Sequence, residues 1–180
     1  VPFEEIEKSL KSKNFKAITI THVDTSTAVV SDVEKISKLV HEVSPETLVF
    51  VDGVCSVGVE PLKFDEWKLD YVLTASQKAI GVPAGLHISI ASKRALDTLA
   101  NRKTPVPGFF HTLERWLPIM KAYESGKPAY FATPAVQTVW ALKTSLDSIA
   151  SSEATLEKRW SYHAEYSDKV KDTLNDLGLK

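Results

Sequence analysis

The residues Thr47-Leu48-Val49-Phe50-Val51 form an almost unbroken apolar run that stops at Asp52-Gly53. A run this short, without polar alternation, reads as a strand buried on both faces. Such strands belong to parallel sheets covered by helices. Parallel strands need crossover connections, so the flanking sequence should supply helices, and it does. Ser31-Asp32-Val33-Glu34 has the form of a capping box, and Val33, Ile36, Leu39, Val40 and Val43 follow at helical spacing until Pro45. Further upstream, Phe3, Ile6 and Leu10 mark one face of a helix over residues 1–13. Between the two helices, residues 17–23 are β-branched and alternating, which predicts a strand. It ends in Asp24-Thr25-Ser26-Thr27, a cluster that makes a turn in most proteins and contacts an anion or cofactor in fewer.

Downstream, residues 54–69 read as irregular with room for one short helix, and residues 70–75 as the next strand. That strand feeds Thr74-Ala75-Ser76-Gln77-Lys78-Ala79-Ile80-Gly81 and the loop Gly81-Val82-Pro83-Ala84-Gly85. Residues 86–91 alternate, and the tight loop before them predicts antiparallel pairing. Ser92 caps a helix through Leu96 and Leu99, another helix covers residues 113–123, and Pro134 suits the first turn of a helix reaching about Ala150. A long helix is expected from about Glu153 to Leu177, with Leu156, Trp160, His163, Val170, Leu174 and Leu177 on one face and Gly178 closing it. The sum is an α/β chain, a three-layer sandwich with a mostly parallel sheet. About four strands are fewer than an open doubly wound sheet usually has, so part of a larger domain is expected. Both ends read as cuts through something longer.

Composition narrows the function classes. The chain has 180 residues and a formal net charge of -1, so no basic footprint argues for nucleic acid. No apolar run approaches the roughly 20 residues that span a bilayer. The single cysteine, Cys55, excludes an intrachain disulfide framework and suits a reducing, intracellular compartment; which compartment is open. His41, His87, His111 and His163 show no metal-ligand spacing, so no metal is expected.

Parallel sheets place ligands at the carboxyl ends of their strands. Three strand ends here carry polar groups: Asp24 to Thr27, Asp52, and Ser76 to Lys78. If the strands are neighbours, the three sets share one crevice. A lysine just past a buried strand can lose its proton and form an imine with a carbonyl. An acid and a lysine ending adjacent strands are what pyridoxal 5′-phosphate requires. The lysine takes the aldehyde, and the carboxylate keeps the pyridine nitrogen protonated so that the ring can accept electrons. The plain alternatives are an exposed lysine near a turn and an aspartate turning before glycine.

Val51-Asp52-Gly53-Val54-Cys55-Ser56, followed by Ser76-Gln77-Lys78 and Gly81-x-Pro83-x-Gly85, resembles the class V aminotransferases, fold-type I pyridoxal-phosphate enzymes. Within them it looks like the alanine–glyoxylate and serine–pyruvate aminotransferases. Thr21-His22-x-Asp24-Thr25-Ser26-Thr27 and Tyr130-x-x-Thr133-Pro134 resemble two further family segments, and the likeness runs in order through essentially the whole chain. It implies an aspartate-aminotransferase-like large domain, present in part. Residues 1–150 would be its C-terminal portion, and residues 151–180 a long helix leading towards a small domain that is absent.

The resemblance also implies roles. Lys78 would be the Schiff-base lysine and the base that moves a proton between the substrate and cofactor carbons. Asp52 would hold the pyridine nitrogen, Val54 would pack on the ring, and Gln77 would contact the phosphate. Thr25 would contact the ring oxygen, with Ser26 beside it. Tyr130 and Thr133 would reach the phosphate of the other subunit's cofactor, which implies a homodimer with shared sites. Amino acid and 2-oxo acid substrates follow, with alanine plus glyoxylate giving pyruvate plus glycine. Gln77 stands where the cysteine desulfurases of this class carry a histidine, and Cys55 reads as a small buried residue; both argue against a desulfurase. The glycine-rich phosphate turn and the carboxylate-binding arginine of the family match no segment here. The chain should therefore need the remaining parts of the same enzyme to transaminate. Alternatives are a serine–pyruvate or other small amino acid aminotransferase, a lyase, hydrolase or desulfurase-type enzyme of the same fold, and a non-catalytic dimerisation fragment.

Overall fold

The computed structural model describes residues 1–151 and 155–179. The chain runs α1 (Phe3–Ser12), β1 (Ala17–Thr21), β2 (Val23–Asp24), β3 (Val29–Val30), α2 (Val33–Val43), β4 (Leu48–Asp52), β5 (Tyr71–Ala75), β6 (His87–Ala91), α3 (Lys93–Ala100), α4 (Leu113–Glu124), α5 (Val136–Ile149) and α6 (Leu156–Asp176). One sheet has the order β1-β4-β5-β6. Its first three strands are parallel, and β6 returns antiparallel to β5, as the tight loop required. The register sets Thr21 against Asp52 and Asp52 against Leu73, so β1, β4 and β5 end at the same edge.

Strand alternation divides the sheet into two faces. On one face, Ile18, Ile20, Val49, Val51 and Val72 meet Phe3, Ile6 and Leu10 of α1 and Val33, Ile36 and Val40 of α2. The α2 residues recur at the helical period, and Asp32 starts that helix by accepting the Lys35 amide at 3.0 Å. Each fully buried Val or Leu stabilises this layer by on the order of 1.5–3 kcal/mol. Where α5 and α6 approach the same face, a cavity of about 500 Å³ separates Val72, Thr74, Ile88 and Ile90 from Leu146, Ile149, Leu156 and Trp160. The other face is more open. Thr19, Phe50, Asp52, Tyr71 and Leu73 line a cavity of about 530 Å³ bordered by Ala95 and Leu99 of α3 and by His111 to Leu113. Helices thus flank the sheet on both sides, which gives the three layers.

Asp70 enters β5 from below and is 3% exposed. Its carboxylate accepts from the Val49 amide at 2.8 Å and the Ser92 hydroxyl at 2.9 Å, and Arg94 lies at 3.5 Å. A buried carboxylate needs such partners, and these tie β4, β5 and the start of α3 together.

Several sequence expectations shift. The strand expected over residues 17–23 breaks after Thr21, and Val23–Asp24 pairs instead with Val29–Val30 in a separate two-stranded ribbon. The break lets Ser31 donate to the Thr21 carbonyl at 2.8 Å, so Asp32 and not Ser31 caps α2. β4 is not buried on both faces: Phe50 is half-buried and Asp52 exposed, because α3 covers only part of the open side. Among the described residues, 53–70 holds turns and no helix. Pro134 precedes α5, with Ala135 at its N-cap. The expected start of the last helix, Glu153, lies outside the described residues; α6 ends before Gly178, whose φ of +74° is the left-handed C-terminal glycine anticipated.

Candidate active site

Asp24 ends β2, and the chain turns there into β3. The Asp24 carboxylate accepts the Ser26 amide at 3.0 Å, the Ser26 hydroxyl at 2.8 Å and the Thr27 hydroxyl at 2.8 Å. The Ser26 bonds, then the Thr27 bond, hold its carboxyl below the usual carboxylate range. Ser26 thereby commits its proton to Asp24. Thr25 differs: its oxygen faces the Cys55 thiol at 4.0 Å, and its own O–H remains to donate. His22, just before this turn, is buried edge-on against Trp67 at 6.4 Å. Burial pushes its imidazole down, and its Nδ1 has no partner among the described residues.

Asp52 closes β4, exposed and facing the 530 Å³ cavity. One of its oxygens accepts the Val54 amide at 3.0 Å, the short Asx turn that aspartate before glycine favours. Gly53 allows the turn to lie against β5. Its amide donates to Leu73 O at 2.9 Å, and a Cβ there would stand 2.7 Å from Val57 and 3.2 Å from that carbonyl. Val54 is half-buried beside it. Cys55 is half-buried too, not buried as expected, because it borders the Thr25 turn and the open strand edge.

Lys78 and Gln77 are exposed in the turn that leaves β5. The turn is built by backbone bonds from Gly81 to Lys78 O at 2.9 Å and from Val82 to Ser76 O at 3.0 Å, with Gly81 at φ +76°. Buried Ser76 donates to Pro83 O at 2.7 Å and accepts the Leu86 amide at 3.3 Å. The chain therefore reverses tightly around a fixed serine and presents the lysine outward.

The sheet order makes the ends of β1, β4 and β5 neighbours, and the Thr25 turn, on the separate β2-β3 ribbon, meets the loop after Asp52 through Cys55 at 4.0 Å. A carboxylate, an amine and a hydroxyl at one edge are a donor set for a ligand with a basic ring nitrogen, an aldehyde and a polar substituent. Tyr130 and Thr133 stand apart. They bond one another at 2.5 Å, Tyr130 is 73% exposed, and among the described residues neither bonds a strand-end group. Sequence reasoning missed two side chains that hold the lysine turn: Ser145 of α5 donates to Ile80 O, and Arg159 of α6 donates to Ala79 O. Their separation of 65 and 80 residues from those carbonyls leaves no local signal.

Residues 1–179 match the family model described as aminotransferase class-V. The chain is 52% identical over 182 residues to alanine–glyoxylate aminotransferase 1 of Saccharomyces cerevisiae, covering 99% of this chain and 47% of that protein. It is 33% identical to a serine–glyoxylate aminotransferase of Arabidopsis thaliana, over 94% of this chain and 40% of that one. The crystal structure of an alanine–glyoxylate aminotransferase from Nostoc sp. superposes with a TM-score of 0.88 at 27% identity, over 100% of this chain and 46% of that chain. The chain thus spans about half the length of the curated relatives it matches.

Proposed function

The chain belongs to the class V aminotransferase family, and from that premise we propose that it is the cofactor-holding part of a pyridoxal-phosphate aminotransferase with alanine as donor and glyoxylate as acceptor. Pyruvate and glycine would be the products. The observation that carries this is the adjacency of β4 and β5, parallel neighbours that end in Asp52 and in the Lys78 turn. The similarity to alanine–glyoxylate enzymes at 52% identity supports the substrates, and the similarity to serine–glyoxylate enzymes keeps serine as the alternative donor.

The residues present fit the cofactor. Asp52 offers a carboxylate oxygen beyond the one that accepts Val54, and Thr25 has a hydroxyl proton to give. When bound, pyridoxal phosphate supplies an aldehyde that takes up an amino group and a ring that draws electrons from the substrate's α-carbon. Asp52 would keep the ring nitrogen protonated by its negative charge. Lys78 Nζ would hold the aldehyde carbon before substrate arrives. Released from it, Nζ would be the base that lifts the α-proton and delivers it to the cofactor carbon that carried the aldehyde. Val54 would pack on the ring, Gln77 would contact the phosphate, and Thr25, with Ser26 beside it, would contact the ring oxygen.

We assign residues 1–150 to the cofactor-binding domain and residues 151–180 to the passage towards a second one. Tyr130 and Thr133, bonded to each other on an exposed loop, suit a contact with the phosphate in a partner subunit's site. Trp140, Val136 and Val139, exposed on α5, would be covered in the same dimer. No helix among the described residues is long and apolar enough to cross a membrane. An intracellular location is proposed from the single cysteine alone.

The test uses the full-length protein. Lys78→Ala should abolish the absorbance of lysine-bound cofactor and lower alanine–glyoxylate turnover by about 10⁴-fold or more, some 5–6 kcal/mol of barrier. Tyr130→Phe should keep the absorbance. A panel of amino acids with glyoxylate as acceptor fixes the donor. Absorbance that survives in Lys78→Ala would reject the assignment.

A further inference from the structure

We propose that Arg159 is a positioning residue for this site, tying the turn that carries Lys78 to the loop that follows Asp52. The inference rests on the roles given to Lys78 and Asp52 above. From α6, Arg159 Nε donates to Gly58 O at 2.8 Å and Nη2 donates to Ala79 O at 2.8 Å. Ala79 is bonded directly to Lys78, and Gly58 lies in the loop that begins at Asp52. The two carbonyls belong to loops on different strands.

The geometry is specific to arginine. Nε and Nη2 lie on one edge of a planar guanidinium, so their two N–H bonds point the same way at a fixed spacing. Two carbonyls that share this edge must sit side by side, and the two loops are held at the width of the fork. A lysine ammonium is a single point and would leave one carbonyl unmatched. The other side chains gripping the turn act within it or from α5. Ser76 donates to Pro83 O at 2.7 Å, and Ser145 donates to Ile80 O. Among the described residues, neither serine bonds the loop after Asp52.

The consequence is for reaction geometry and not for substrate affinity. Asp52 and Lys78 Nζ would work on opposite ends of one rigid ring, so their separation must match the ring length. Small misplacements of reacting groups lower rates steeply. Arg159 touches neither substrate nor cofactor in this reading; it sets where Lys78 stands.

The test is hydrogen exchange in the cofactor-free full-length protein, joined to kinetics of the loaded enzyme. In Arg159→Met, exchange at the Gly81 and Val82 amides should rise about tenfold or more, while Val49 and Val51 amides in β4 keep their protection. In the loaded protein, kcat should fall about 10- to 100-fold with KM within about threefold, and the absorbance of lysine-bound cofactor should titrate at a shifted pH. Arg159→Lys should recover part of each effect. If Arg159→Met fails to fold, Arg159→Lys must show the same local exchange pattern. Unchanged exchange and kcat, or exchange that rises throughout the sheet, overturns the proposal. Loss of the absorbance in Lys78→Ala together with silent Arg159 variants rejects Arg159 alone. Absorbance that persists in Lys78→Ala rejects the assignment of Lys78 and this inference with it.

Discussion

The α/β part up to β6 and the helices after it are built on different terms. The buried apolar cluster draws on residues from Leu10 to Val72, with α1 and α2 closed over one sheet face. None of α3, α4, α5 and α6 buries a residue. They instead expose Trp140 on α5 and Val170 and Leu174 on α6. The first region buries an apolar cluster against its own sheet, although Val29, Val30 and Ile90 stay exposed. The second presents apolar surface outward and contributes polar handles inward: Ser145 and Arg159 on the lysine turn. The first region therefore supplies both the core and the site residues, and the second adds two side chains that brace the lysine turn.

Substitutions can break or sharpen this contrast. The largest loss is expected for Leu69→Ala, at 2% exposure, which should lower the unfolding free energy by about 3 kcal/mol in urea titrations. Asp70→Asn should follow at roughly 2 kcal/mol, since it weakens bonds to Val49 and Ser92 and leaves Arg94 facing a neutral group. A loss below about 0.5 kcal/mol would mean that the carboxylate does not hold the layers together.

The His22 effect depends on pH. Because burial lowers its pKa below 6.5, the unfolded chain binds a proton that the folded chain lacks as pH falls through that value. Stability is therefore present above about pH 6.5 and declines towards acid. His22→Phe, compared by thermal unfolding at about pH 7 and about pH 5, should flatten that decline. A parallel decline in the variant would remove His22 from the account.

The smallest effect is expected for Leu174→Ala on α6, 43% exposed, at under about 0.5 kcal/mol. A loss above about 1 kcal/mol would show that this helix face is covered in solution, and would erase the difference between the two regions.

Legibility in the sequence followed the same division. The apolar run before Asp52, the helical spacing in α2 and the tight loop before β6 announced the sheet and its one antiparallel strand, because those signals are local. That β4 and β5 end side by side at Asp52 and before Lys78 was legible for the same reason, whereas the ribbon that carries Asp24 to Thr27 was not. Errors came where tertiary bonds overrode local pattern. Ser31 looked like a cap but spends its hydroxyl on Thr21 O, and residues 17–23 looked like one strand until Val23 paired with Val30. The apolar spacing of α6 marks a face, but spacing alone cannot say what the face meets; Trp160 and His163 are half-buried and Val170 and Leu174 are exposed. Arg159 was the deepest miss, because its partners are main-chain carbonyls, and any residue type can supply those.

The antiparallel return of β6 also restricts how this segment can vary in length. Ala75 is opposite His87 at the top of the pair, and the register runs unbroken to Tyr71 opposite Ala91. One residue gained or lost between them must either distort the reversal around Ser76 or slide β6 by one position. A slide would exchange the two sides of the strand, turning Ile88 and Ile90 away from α5 and α6 and bringing His87 in. Insertions and deletions should therefore be tolerated in the long stretch between Asp52 and β5 far better than between Lys78 and β6.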